Sequence, residues 1–161
     1  MEMTITGRVL IIDDHEPSVR LIRYLLKREF PEIDVDAFYD SRSMNGASYD
    51  LAVVDYGLKG ETAIDVIEKF VDRTPTIIVT AYPIDLVKSK MNGHKIIQKD
   101  NGFSKELIRV AEEYLVKEQM VRSIDNIIDT YNRLFPPKKP TIVQKVREYL
   151  NGWRCRYQGA N

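Results

Sequence analysis

The stretch Val9-Leu10-Ile11-Ile12-Asp13-Asp14-His15-Glu16-Pro17 decides the fold. Its four consecutive apolar residues read as a strand covered on both faces, the mark of a parallel sheet. The strand then stops at two adjacent carboxylates, which repel each other and resist losing water. Pro17 stands where the first turn of a helix tolerates proline, and Val19, Ile22, Leu25 and Leu26 recur at helical spacing. One strand, a charged rim and one helix are thus spelled out in under twenty residues.

The same alternation continues along the chain. Strands are expected at Arg8–Ile12, Ile33–Phe38, Leu51–Val54, Thr76–Val79 and, more briefly, Ile96–Ile97. Helical patterns fall between them, with Ile64, Ile67 and Val71 after the third strand and Leu86, Val87 and Met91 after the fourth. Repeated βα units imply an α/β protein with a parallel sheet and helices on both faces. Only residues 40–50 separate the second and third strands, with Asn45-Gly46 in the middle. That connector has room for one or two helical turns.

The composition is that of an ordinary globular chain: 161 residues, with 24 basic and 24 acidic side chains. A balanced charge gives no global attraction to nucleic acid or membrane. No stretch has the apolar length of a membrane span or a signal peptide, so a cytoplasmic location is the simplest expectation. The single cysteine, Cys155, excludes an internal disulfide and a cysteine metal cluster. His15 and His94 have no carboxylate or cysteine at ligand spacing and read as loop residues.

Each apolar run ends in a residue that suits a site at the carboxyl rim of an open parallel sheet. The first ends in Asp13-Asp14, the third in Asp55, the fourth in Thr80 and the last in Lys99. Singly, each has a plain explanation as a helix cap, a turn residue or a solvated charge. Jointly, three carboxylates at one rim call for a cation, and an all-oxygen set suits a hard ion such as Mg²⁺. A lysine and a hydroxyl beside them make a clamp for a phosphoryl group, with Asp55 in reach as nucleophile.

With those residues in that order, the sequence resembles the receiver domains of two-component response regulators over roughly residues 7–116. The resemblance implies a flavodoxin-like, doubly wound five-stranded parallel sheet of order 2-1-3-4-5. It implies that Asp55 is the phosphoacceptor, that Asp13, Asp14, Asp55 and the carbonyl of Gly57 hold Mg²⁺, and that Thr80 and Lys99 engage the phosphoryl oxygens. The implied partner is a sensor histidine kinase or a phosphotransfer protein. No enzymatic activity is expected beyond self-catalysed phosphorylation and dephosphorylation of the aspartate. "DYGLKGETA" (55–63) keeps the family's leucine at Leu58, and small Ala81 follows the threonine. Lys59 departs from the usual proline, Ala63 from a frequent glycine and Asp100 from the proline that follows the lysine. Ile96 stands where the family has its switch aromatic.

Three segments are expected: a receiver at 1–116, a helical extension at 117–135 and a basic C-terminal segment at 136–161. Ser104 can cap a helix opening at Lys105 that has no proline or glycine until Pro136. Leu107, Val110, Tyr114, Lys117, Val121, Ile124, Ile128, Tyr131 and Phe135 follow heptad steps, broken only by Lys117. That seam can pack on the receiver, pair with the next helix as a hairpin, or form a homodimer through residues 107–135, the reading we favour. The "FPPKKPT" break (135–141) precedes a short helix with Ile142, Val143, Val146, Tyr149 and Leu150 on one side. Residues 136–161 carry six Lys or Arg against Glu148 alone. A DNA- or RNA-binding regulator gated by the receiver is therefore the rival reading. A Mg²⁺-dependent small-molecule phosphatase would want a second acid two residues past its nucleophile, where Gly57 stands. The phosphate-loop motif of nucleotide-binding proteins is absent.

Overall fold

The apolar run that opens the chain becomes β1 (Gly7–Ile12), and its side chains alternate between two separate cores. The computed structural model describes residues 4–44, 47–70, 74–91 and 93–136, together with Val146 and Tyr149. After β1 come α1 (Glu16–Glu29), β2 (Ile33–Phe38), β3 (Leu51–Asp55), α2 (Ala63–Phe70), β4 (Thr76–Thr80), α3 (Ile84–Lys88), β5 (Lys95–Gln98) and α4 (Phe103–Leu134). The sheet is wholly parallel in the order β2-β1-β3-β4-β5, as expected.

Because strand side chains alternate, the apolar runs feed both faces at once. Val9, Ile11, Leu51, Val53, Ile77, Val79 and Ile97 face α1 and α4. Leu10, Ile12, Ala52, Val54, Ile78 and Ile96 face α2 and α3. Each large aliphatic side chain fully buried this way stabilises the fold by about 1.5–3 kcal/mol before the entropy cost of ordering it.

The thin connector holds a single 3₁₀ turn, Ser41–Ser43, which the side chain of Asp40 caps by accepting from Ser43 N–H. The turn is tied to the loop after β3. Glu61 accepts from the Ser41 backbone N–H at 3.0 Å and from its hydroxyl at 2.5 Å. The next helix begins with a reciprocal cap: the Asp65 carboxylate accepts from Thr62 N–H and the Thr62 hydroxyl accepts from Asp65 N–H. Ala63 and Val66 are its buried residues, while Ile64 and Ile67 are only half-buried.

Two expectations are corrected. The helix after β4 is only five residues long, and Leu86, expected on its apolar side, is 63% exposed while Val87 and Met91 are buried. Ser104 does not cap α4, which starts one residue before it. The Asp100 side chain accepts from Gly102 N–H and its carbonyl from Phe103 N–H, so the entry is a turn built on Asp100. The heptad seam is covered unevenly along its length. Leu107, Val110, Val121 and Ile128 are buried within the chain, with Ala111 and Leu115, whereas Tyr131 and Phe135 are exposed.

No break marks residue 117. α4 runs on, and the N-terminal segment is laced to it: Gln119 donates to the Thr4 carbonyl and Arg122 to that of Thr6. Arg122 also pairs with Asp50, at 3.3 Å. The short helix expected after Thr141 and the segment holding Cys155 lie outside the described residues, except for Val146 and Tyr149. Among the described residues no helix is long and apolar enough to cross a membrane.

Candidate functional site

The strand register gathers the charged rim. Backbone bonds lock the strand ends together, from Asp13 N–H to the Phe38 carbonyl, from Tyr56 N–H to Val79, and from Lys99 N–H to Thr80 at 2.7 Å. Asp13, Asp55, Thr80 and Lys99 therefore finish their strands at one level, with Asp14 beside them.

The question posed by Asp13-Asp14 has its first answer in Lys99. From the end of β5 its Nζ lies 2.7 Å from Asp13 Oδ2, at the end of β1, and 2.5 Å from Asp55 Oδ1, at the end of β3. Asp13 and Asp55 are 1% and 8% exposed, so this pair of contacts is sheltered from solvent screening. Burial acts first on Lys99 and would lower its pKa. Hydrogen bonds to Asp13 and Asp55, with their charges, outweigh it and hold the ammonium above the ordinary lysine value. One lysine thus faces two carboxylates and is fully charged at neutral pH.

Asp14 has weaker cover: Lys59 Nζ is 3.9 Å away and 91% exposed, a pair worth about 0–1 kcal/mol. Carboxylate oxygens of Asp13, Asp14 and Asp55 all lie within 4.8 Å of one another. Three hard oxygen donors at that spacing, with one ammonium among them, leave negative charge uncompensated. The donor set fits Mg²⁺, which takes one or two carboxylates and keeps water.

Backbone donors fix the acids. Asp13 Oδ1 accepts from His15 N–H at 2.8 Å, and Asp55 Oδ2 accepts from Gly57 N–H at 2.7 Å. Gly57 has a second reason to be glycine: a Cβ there would lie 3.2 Å from Cε2 of Tyr82 and 3.5 Å from Asp55 Oδ2. The Tyr82 ring also meets Tyr56 edge-on, with centroids 6.1 Å apart. Thr80 is fully buried, and its Oγ1 accepts from Tyr82 N–H at 2.9 Å. The threonine is at the site, with its acceptor side turned to its own loop.

Sequence reasoning missed three contributors. Ser18, on the first turn of α1, sits 3.5 Å from Lys99 Nζ and 2.9 Å from His15 Nδ1. A lone hydroxyl one turn past a strand-end acid was the available signal. Lys59 was noted only as a departure, yet it approaches Asp14. Glu61 braces the loop that carries Gly57, a contact between segments that spacing does not reveal. Ile96 stays 9% exposed against the α2–α3 face, and the bond from Lys99 to Asp100 is trans.

No family model matches the chain, and no curated protein matches it in sequence. Solved structures do. A response regulator receiver domain protein (CheY-like) from Methanospirillum hungatei superposes with a TM-score of 0.59 at 22% identity, covering 71% of this chain and 98% of its own. A response regulator receiver domain from Clostridium thermocellum gives 0.57 at 18% identity, over 71% and 98%. The chain has the receiver fold. NtrX from Brucella abortus matches at 0.61 and 19% identity over 78% of this chain, which spans only 30% of that protein's length. In the receivers from Methanospirillum and Clostridium nearly the whole domain is matched, so the match stands for the sheet and its helices. At these identities it speaks to architecture and leaves the chemistry to the side chains above.

Proposed function

We propose that the chain is a phosphorelay response regulator whose Asp55 accepts a phosphoryl group from a histidine kinase or phosphotransfer protein. The observation that carries this is Lys99 held between Asp13 and Asp55 beside a third carboxylate at the carboxyl rim of a receiver fold.

Asp55 Oδ1 is the attacking oxygen; as it bonds to phosphorus, the phosphorus–nitrogen bond of the donor histidine breaks and its electron pair stays on the imidazole. The bond from Gly57 N–H to Oδ2 orients the carboxylate, and Lys99 moves with the new charge from the carboxylate to the phosphoryl oxygens. Thr80 has its hydroxyl proton to offer a phosphoryl oxygen. Asp13, Asp14, Asp55 and the Gly57 carbonyl would hold Mg²⁺, which neutralises phosphoryl charge when bound. Phosphorylation and later hydrolysis at Asp55 are the only chemistry proposed; there is no separate substrate. A cytoplasmic location belongs to this reading.

The signal leaves through the loop Ala81–Tyr82–Pro83, where Thr80 and Tyr82 are bonded, and through α4 as a homodimer or partner contact. The gated nucleic-acid binder remains second, carried by the basic residues of 136–161. Incubation with acetyl phosphate and Mg²⁺ should add one acid-stable, base-labile phosphoryl group. Asp55→Asn should abolish it. Labelling that survives this substitution would place the nucleophile elsewhere.

A further inference from the structure

Ser18 spends its hydroxyl away from the helix it stands on. It lies in the first turn of α1, where a serine side chain ordinarily bonds a backbone group. Here the backbone is served separately: the N–H groups of Ser18 and Val19 donate to the His15 carbonyl, at 2.9 and 3.2 Å. The hydroxyl faces the acidic rim instead. Its Oγ lies 3.5 Å from Lys99 Nζ and 2.9 Å from His15 Nδ1.

An ammonium has three protons and no lone pair. Among the described residues that of Lys99 meets three acceptors: Asp13 Oδ2, Asp55 Oδ1 and Ser18 Oγ. Ser18 must therefore accept from the lysine, which leaves its own proton for His15 Nδ1. A neutral imidazole with its proton on Nε2 takes that bond, so a chain runs from Lys99 through Ser18 to His15. Its far end is anchored as well, because the His15 backbone N–H donates to Asp13 Oδ1 at 2.8 Å. Asp13, His15, Ser18 and Lys99 thus close a ring of hydrogen bonds beside the Asp55 carboxylate.

We propose that Ser18 is a positioning residue for Lys99, the hydroxyl that keeps the ammonium in place while Asp55 is phosphorylated. The inference rests on the phosphoacceptor reading and extends it to a residue that is not at a strand end. As Asp55 Oδ1 bonds to phosphorus it loses its negative charge, and Lys99 turns that proton to a phosphoryl oxygen. Only Asp13 and Ser18 then remain of the three acceptors. Two points fix the direction of the ammonium, whereas one lets it swing on its flexible four-carbon stem. At 3.5 Å the Ser18 bond is the longest of the three, so it contributes least at rest. Its weight grows when Asp55 withdraws.

The test replaces Ser18 in the full chain with Val and with Thr, side chains of like shape of which only Thr has the hydroxyl. Labelling of Asp55 by acetyl phosphate and Mg²⁺ should be about three- to tenfold slower in Ser18→Val than in wild type, the worth of one hydrogen bond. Ser18→Thr should recover most of that rate. Affinity for beryllofluoride, a phosphoryl mimic followed by fluorine NMR in Mg²⁺, should fall by a similar factor in Ser18→Val and return in Ser18→Thr. All measurements are made well below the melting temperatures of the three proteins, so that stability does not enter. Ser18→Val labelling as fast as wild type, Ser18→Thr as slow as Ser18→Val, or a beryllofluoride affinity that ignores the hydroxyl overturns the proposal. Mapping the label in the same samples separates the two readings. Label on Asp55 with no effect of Ser18→Val overturns the role of Ser18 alone, whereas no label on Asp55 in the wild type overturns both.

Discussion

Replacing Asp14 with Asn should make the metal-free protein more stable while blunting its response to Mg²⁺. Asp13 and Asp55 share the ammonium of Lys99, whereas Asp14 has only an exposed lysine at 3.9 Å. Its oxygen lies within 4.8 Å of an oxygen on each of the other two acids. One like-charge pair at that distance costs about 0.9 kcal/mol in water and about 3.5 kcal/mol at the effective dielectric of a protein site. With Lys99 offsetting part of this, Asp14→Asn should relieve about 1–3 kcal/mol. That exceeds the loss of the Lys59 pair, about 0–1 kcal/mol, so the sign is set. For a chain of this size the gain is roughly 2–4 °C of melting temperature per kcal/mol. Wild type should instead gain from the metal: at ten times its dissociation constant, Mg²⁺ contributes about 1.4 kcal/mol. Thermal melts in chelator and across a Mg²⁺ titration read both numbers. A wild type whose melting temperature ignores Mg²⁺ through tens of millimolar, or an Asn variant less stable than wild type in chelator, refutes the reasoning.

Lys99→Met should destabilise the metal-free protein by about 3–5 kcal/mol, since it strands two buried carboxylates, and Mg²⁺ should recover part of the loss in denaturant titrations. Glu61→Ala and Ser41→Ala should each lower stability, and a double-mutant cycle should give a coupling of about 0.5–3 kcal/mol; additive effects would mean that the Ser41 hydroxyl adds nothing to the brace, leaving it to the backbone N–H. Ile128→Asp should cost several times what Ile127→Asp does in the monomer, because the first is 7% exposed and the second 68%. Burial holds the pKa of His94 below its ordinary 6.5, so the unfolded chain takes up the proton first and stability should fall as pH drops below that value. His94→Gln should flatten that part of a stability–pH curve.

The sheet was legible because a strand buried on both faces leaves an unbroken apolar run, and each run stopped at the residue that now stands at the rim. Asp13, Asp14, Asp55, Thr80 and Lys99 all converge for that reason. What periodicity could not reveal was which of two neighbouring faces of α4 is covered. An α-helix drifts against a seven-residue repeat, so 121/128 and 120/127 fit the pattern almost equally. The choice depends on the packing of distant segments on the helix, as the Thr4–Thr6 bonds to Gln119 and Arg122 illustrate. The entry to α4 was misplaced on similar grounds. Ser104 has the right side chain for a cap, but Asp100 reaches the free N–H of Gly102 first. The approach of Tyr82 to Gly57 also joins residues from two strand ends and leaves no mark on either local pattern.

The phosphoacceptor itself is open to one direct measurement. An aspartyl phosphate is an acyl phosphate, and borohydride reduces its carbonyl carbon to the alcohol, turning that aspartate into homoserine. Peptide mapping by mass spectrometry after acetyl phosphate, Mg²⁺ and borohydride should find homoserine at position 55 and at neither Asp13 nor Asp14. Homoserine at another acid, or at none while the protein is folded and Mg²⁺-responsive, would contradict the assignment.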